Sequence, residues 1–391
     1  MSQLAFYPWL AMRADCAAGA LRLIRYERGK TPAVQELPQI DRALTPYKTA
    51  SGRAVLRATL LSFGERGLID DMTEDDRAHL FAFSELLAFA SLSSRRFFGQ
   101  FGYWNRDHCR LVIQGFSDPE GGALVVTRRR DRVTNSYFSG HVREVQCPDH
   151  VHAADVEPDM RLLVALVASR DVEAWPSIEQ AVFLFNEANT DRDNVPVTAE
   201  LLFCYGAIEQ ILECPGRAPR EVATRFAETW VPVAELPRSE WRVPPEDEGA
   251  RARLGRATSP RAAWLEDLAI LRGSTAHGHP AQATPTAWSI HEHLLYAAYA
   301  VPLILKLRLA QYGRYELTDD DTGHVEVFER LLNVRHFEPR GLDTPISDHP
   351  WHTIQQRGMY RRLAELAFRQ VGANGADAFT ETQPLGPEEQ R

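Results

Sequence analysis

Lysine is almost absent from this chain: of 44 basic residues only Lys30, Lys48 and Lys306 are lysine, and the rest are arginine. Its positive charge is therefore nearly all guanidinium, which meets phosphate or carboxylate through paired hydrogen bonds where lysine offers a point charge; a general compositional preference for arginine accounts for the same count. A basic excess is also missing. The net charge of -9 and pI near 5.8 argue against a broad face for tracking duplex DNA, because neutralising phosphates needs clustered positive charge. Local contact between arginines and RNA is left open.

Cysteine is sparse and scattered. Cys16, Cys109, Cys147, Cys204 and Cys214 form no Cys-x2-Cys pair, which fits neither a zinc site nor a disulfide framework. A reducing cytoplasm is the location expected. The first residues, Met1 to Trp9, lack a basic region followed by an apolar core, so no secretion signal is expected. The longest apolar run, Leu294 to Leu305, is too short to span a bilayer and contains Pro302, so it reads as a buried, proline-kinked helix rather than a membrane segment. No Gly-x-Gly-x2-Gly, Walker loop, nucleophile elbow or zinc-protease pattern appears, which removes the usual nucleotide-hydrolase and acyl-hydrolase readings.

What is present is an ordinary globular composition, 44% hydrophobic and 25% charged over 391 residues, with chain enough for two domains. The character changes near residue 155. Before it, residues 4–10, 20–26, 54–63, 110–116, 123–127 and 136–142 are β-branched or aromatic runs between turn formers and read as strands. One helix interrupts them: Thr73-Glu-Asp-Asp76 resembles a capping box, and Leu80, Phe83, Leu86, Leu87 and Ala90 follow at helical spacing. Arg128 to Arg130 with Arg132 falls between two strands and reads as a solvated hairpin tip. Residues 1–155 are thus expected to form an α+β domain.

Beyond it the periodicity is helical. Ile178, Ala181, Val182, Phe185 and Ala188 mark one helix, and Leu201, Cys204, Tyr205, Ile208 and Leu212 mark a second over about 198–213. A third runs through Arg220 to Trp230, while 231–257, rich in Pro, Glu and Arg, reads as an irregular connection. Ser259-Pro260 opens a helix through Leu265, Leu268 and Leu271 that Gly278 and Pro280 stop. Helices follow at about 287–311, 322–334 and 351–370, then a disordered polar tail over 372–391. The expected layout is an α+β domain over 1–155, an all-α helical bundle over 156–315, further helices over 316–371 and the tail.

Three blocks in this order, Ala181-Val-Phe-Leu-Phe-Asn-Glu-Ala-Asn-Thr-Asp191, Glu200-Leu-Leu-Phe-Cys-Tyr-Gly-Ala-Ile-Glu-Gln-Ile-Leu212 and Leu268-Ala-Ile-Leu-Arg-Gly-Ser-Thr-Ala-His-Gly278, resemble the HEPN superfamily (higher eukaryotes and prokaryotes nucleotide-binding), in particular its Apea-like bacterial branch. The resemblance covers about 175–311, and residues 1–155 resemble no family we can name. It implies a HEPN-like helical bundle that forms a homodimer, two copies of the Arg-x4-His motif (Arg272, His277) around one cleft, and in active members RNA cleavage with no metal or other cofactor. Bacterial defence against phage, or toxin action, is the biological setting it implies. A protein or phage-derived trigger sensed by the amino-terminal domain would fit that setting. The pair alone carries little, since about one Arg-x4-His is expected by chance in so arginine-rich a chain.

The chemistry suits these residues. An imidazole that titrates near neutrality serves as base for the 2′-hydroxyl or acid for the leaving oxygen, and a preorganised guanidinium stabilises the developing charge. Residues five apart differ by about 140° around a helix, so a two-fold axis would help Arg272 and His277 to converge. Gly278 lets the helix end and turn the imidazole, and His279 is placed to support phosphate binding. Gly273 departs from the polar residue usual after the arginine; Ser274 and Thr275 can supply a hydroxyl, or the site binds without cutting.

Arg272 also has a structural reading. It continues the apolar stripe of Leu265, Leu268 and Ala269, and Glu209 falls beside Leu202, Tyr205 and Leu212, so the two charges are expected to approach each other. The remaining histidine pairs, His277 with His279, His291 with His293 and His150 with His152, have no acidic or cysteine partner at metal-ligand spacing, so no metal site is expected. Two functional classes stay open: a ribonuclease, and a non-catalytic HEPN-like dimer that binds RNA, a nucleotide or a protein partner.

Overall fold

A computed structural model of the chain describes residues 2–30, 37–64, 68–94, 104–116, 124–130, 133–139, 144–151, 154–230, 238, 241, 248–276 and 286–333. An antiparallel sheet organises the amino-terminal half. It contains β1 (Ser2–Tyr7), β3 (Cys16–Ala18), β4 (Leu21–Glu27), β6 (Arg57–Phe63), β7 (Leu68–Asp70), β8 (Val112–Phe116), β9 (Leu124–Arg130) and β10 (Val133–Ser139). Their order is β10-β9-β8-β1-β6-β4-β3, with β7 also on β1. Two short parallel pairs flank it, β5 (Tyr47–Lys48) with β11 (Val145–Gln146) and β2 (Leu10–Met12) with β12 (Ala154–Val156).

The central strand is buried on both faces, and strand alternation divides its side chains between two cores. Leu4 and Phe6 join Ile24, Tyr26, Leu60 and Tyr47 in the smaller core, which α1 (Leu37–Leu44) covers with Ile40, Ala43 and Leu44. Ala5 and Tyr7 join Leu21, Leu23, Leu61 and Ile113 in the larger one. Helix α2 (Glu74–Ser93) lies on that second face. Thr73 and Asp76 close a capping box at its start, as the sequence pattern requires. The helix is buried well beyond the stripe expected for a surface helix, with Phe81, Ala88, Phe89 and Leu92 also enclosed, because the helical half packs on its other side.

That half contains α3 (Met160–Ala168), α4 (Trp175–Glu187), α5 (Val197–Ile211), α6 (Pro219–Thr229), α7 (Glu248–Arg256), α8 (Pro260–Ala276), α9 (Ile290–Gln311) and α10 (Asp319–Leu332). An α+β region followed by helices is therefore the observed layout. One continuous hydrophobic core joins the two regions, running from the sheet through α2 into α3, α4 and α9. The Phe89 and Phe185 rings meet at 5.2 Å across the α2–α4 contact. Gly19, in the turn between β3 and β4, has φ +62°, and a Cβ there would sit 2.9 Å from Val167 of α3, so this seam requires glycine.

Helix α5 is central to the bundle, packing against α4, α8 and α9. Trp264 of α8 anchors an aromatic cluster with Phe226, Tyr296 and Phe328, and Trp230 stacks on Phe328 at 4.7 Å. Helix α9 is long and apolar enough by length and composition to cross a membrane; it lies inside this bundle, with 72% of its most apolar stretch buried and Pro302 within it.

Two sequence expectations need correction. Arg128 to Arg130 do not form the hairpin tip: they belong to β9, in register with Val133, Thr134 and Asn135 of β10, because strand pairing persists through the charged run. Arg132 lies outside the described residues. The segment 231–257 is not wholly irregular either, since α7 occupies its last part and buries Ala250 and Leu254. The helix expected at 351–370 and the tail at 372–391 lie outside the described residues.

Candidate functional site

Helix packing brings the second and third sequence blocks together. Tyr205 and Glu209 lie one turn apart on α5, hence on the same face, and α8 crosses that face with Arg272 just before its last turn. Arg272 Nη2 lies 3.8 Å from Glu209 Oε2, and its Cζ sits 5.4 Å from the centre of the Tyr205 ring. The first distance is an ion-pair contact too long for a hydrogen bond. The second is within cation–π range.

Burial is asymmetric within this group. The Glu209 side chain is only 9% exposed, whereas that of Arg272 is 43% exposed. Burial pushes the Glu209 carboxyl above its ordinary value, and the Arg272 charge and the Gly216 backbone N–H oppose that rise in part. Tyr205 is likewise raised, by burial first and then by the neighbouring Glu209 charge. The guanidinium is thus held over a ring and beside a half-masked carboxylate while much of it faces solvent.

The neighbouring residues are placed as follows. Gly273 and Ser274 are half-buried in α8, and a Cβ at Gly273 would meet nothing within 4 Å. The Thr275 hydroxyl donates to the Leu271 carbonyl at 3.0 Å, so its proton is committed to its own helix. Helix α8 ends at Ala276. His277, Gly278 and His279 lie outside the described residues. The apolar stripe of α5 places Tyr205 in the core; its second role as a platform for the arginine has no signal in the pattern alone.

A second polar cluster escaped the sequence reading altogether. Asp107, in the 3-10 turn Arg106–Cys109, accepts two hydrogen bonds from Arg192, at 2.9 and 2.8 Å, and lies 2.8 Å from His150 Nε2. Arg106 pairs with Glu85 of α2 at 2.7 Å, and Glu85 also accepts from Asn186 of α4. Burial works to raise the Asp107 carboxyl, but the bonds from Arg192 and His150 outweigh it and hold the group below the usual carboxylate range. The cluster fastens the amino-terminal half to the loop between α4 and α5. Among the described residues no three His, Cys, Asp or Glu side chains are grouped as a metal site.

No protein-family model, no curated protein and no solved structure matches this chain.

Proposed function

We propose that the protein is a metal-independent endoribonuclease of the bacterial defence or toxin type, a HEPN-like homodimer whose two copies of Arg272 and His277 serve one cleft. The observation that supports the arginine's part is its setting: a half-exposed guanidinium at the end of α8, oriented by Tyr205 and Glu209 without a hydrogen bond to the carboxylate. Such a group is preorganised, and its charge is available to an incoming phosphate.

In this reading one histidine removes the 2′-hydroxyl proton, the 2′-oxygen attacks phosphorus, and the P–O5′ bond breaks as the histidine of the second copy protonates the leaving 5′-oxygen. Arg272 carries the charge that develops on the phosphoryl oxygens. The products are a 2′,3′-cyclic phosphate and a 5′-hydroxyl. DNA lacks the internal nucleophile. Ser274 and His279 are placed in sequence to assist phosphate binding.

One observation favours the second reading, a non-catalytic dimer that binds RNA, a nucleotide or a protein: the 3.8 Å approach of Glu209 offsets part of the arginine's charge. Incubation of the purified protein with mixed RNA in excess EDTA, beside folded Arg272→Ala and His277→Ala variants, separates the two. Loss of a general acid-base group lowers cleavage by about 10²- to 10⁴-fold. Cleavage indifferent to both substitutions, or RNA binding with no cleavage, would move the assignment to the binding module.

A further inference from the structure

Where α2 meets α4, with the turn after α3 closing one end, the surface opens into a cleft of about 170 Å³. Its walls are aromatic and aliphatic, with Phe81 and Ala82 from α2 and Trp175 and Phe183 from α4. The small side chain of Ala82 leaves room between the helices that a larger residue would fill.

The charges around the cleft are uneven. Three carboxylates line it, but Glu74 pairs with Arg77 at 2.8 Å, Glu85 is taken by Arg106 at 2.7 Å, and Glu179 is exposed. Arg170 lines it too, and among the described residues no carboxylate lies within ion-pair distance of that guanidinium. Its Nη1 instead meets His79 Nε2 at 3.2 Å. A guanidinium can only donate, so that imidazole nitrogen accepts and the ring is neutral. Burial, and then the Arg170 charge, lower the His79 pKa in the same sense. Arg170 Nη2 is buried with no hydrogen-bond partner. A half-buried cation whose one partner is neutral is costly, and an anion at its accessible edge in the cleft would relieve that cost.

We propose that this cleft binds a small aromatic carboxylate, its ring against Phe81, Trp175 and Phe183 and its carboxylate on Arg170. The site is independent of Arg272 and of the reaction assigned to it. Because α2 belongs to the amino-terminal half and α4 to the helical half, a bound ligand ties the two together. Ligand binding to the folded state alone raises the unfolding temperature.

The test is calorimetric titration of the full chain with 2-naphthoate, with neutral 2-naphthamide as the matched control. Saturable one-to-one binding of the carboxylate is expected, weaker by about tenfold to hundredfold for the amide and for Arg170→Gln, the effect of losing a charge-assisted hydrogen bond. Ala82→Phe should abolish binding while its ligand-free thermal unfolding stays cooperative. Should that variant fail to fold, the amide and Arg170→Gln decide alone. No saturable naphthoate binding, equal affinity for acid and amide, or undiminished binding by Arg170→Gln would overturn the proposal.

Discussion

Replacing Lys306 by methionine probes a buried charge group in the helical half. Lys306 Nζ lies 2.6 Å from Asp159, the N-cap of α3, and 2.7 Å from Asp321, the capping-box acid of α10, so one ammonium holds three helices together. Burial alone would lower its pKa, yet the two carboxylates raise it. Removing one partner of a buried ion pair costs about 3–5 kcal/mol, because the other charges are left uncompensated. Both acids keep other donors here: Leu162 N for Asp159, and Thr318 N, Thr318 Oγ1 and the Tyr315 hydroxyl for Asp321. These bonds place the expected cost near the lower end, about 3 kcal/mol at pH 7.

The pH dependence follows from the directions of the shifts. In the wild type, burial works to raise Asp321, but Lys306 and Thr318 outweigh it and hold the carboxyl below its ordinary value. Its contribution to stability is therefore present above the unfolded pKa of about 3.9 and is lost only as pH falls through the lower folded value. Without the lysine the largest influence lowering Asp321 is gone, so its carboxyl rises relative to the wild type and the variant's deficit falls in acid. His324, lowered by burial and then by the Lys306 charge, shifts the same way, since removing that charge favours its protonated form. Equilibrium urea denaturation at pH 7 and pH 5 should show a deficit that shrinks on acidification. A deficit below about 1 kcal/mol at pH 7, or one identical at the two pH values, would refute the reasoning.

Three further outcomes are expected. Asp107→Asn should cost about 2 kcal/mol at pH 7, the scale of hydrogen bonds to a charged group, with the deficit fading as pH falls below the ordinary carboxylate value of about 3.9; a pH-independent deficit in denaturant midpoints would contradict the depressed pKa of Asp107. Glu209→Gln should be at least as stable as wild type at neutral pH, because a carboxyl with a raised folded pKa is a penalty above that value that vanishes below about 4.3; thermal melts at pH 7 and pH 4 check this. Gly273→Ala should raise the melting temperature, since its Cβ enters open space and a helical alanine is favoured by about 0.5–1 kcal/mol; a lower melting temperature would show that the position is occupied by something not accounted for here.

Much of the scaffold was legible in the sequence, for identifiable reasons. Strand alternation and the Thr73 capping box located the sheet and α2, and the apolar stripes of α4, α5 and α8 placed the site helices. The approach of Glu209 to Arg272 followed from two charges lying on inward-facing stripes. Helix α3 was not resolved as an element because Met160 to Ala168 is apolar almost throughout and shows no period. Helix α7 was hidden by a Pro-, Glu- and Arg-rich segment in which it buries only Ala250 and Leu254. The Arg128 to Arg130 run looked like a turn because charge is a weak guide to pairing, which the partner strand decides. The Asp107 cluster was invisible for a different reason: its partners His150 and Arg192 lie 43 and 85 residues away, and no local pattern links them.

The central claim, that Arg272 and His277 cleave RNA through its own 2′-hydroxyl, is tested most directly by product chemistry. An RNA oligonucleotide cut by the protein in excess EDTA should carry a 2′,3′-cyclic phosphate or its hydrolysis product at the new end, and a single 2′-deoxy substitution at the cut position should block that cut. A 3′-hydroxyl product, or cleavage that persists at the 2′-deoxy position, would contradict the account.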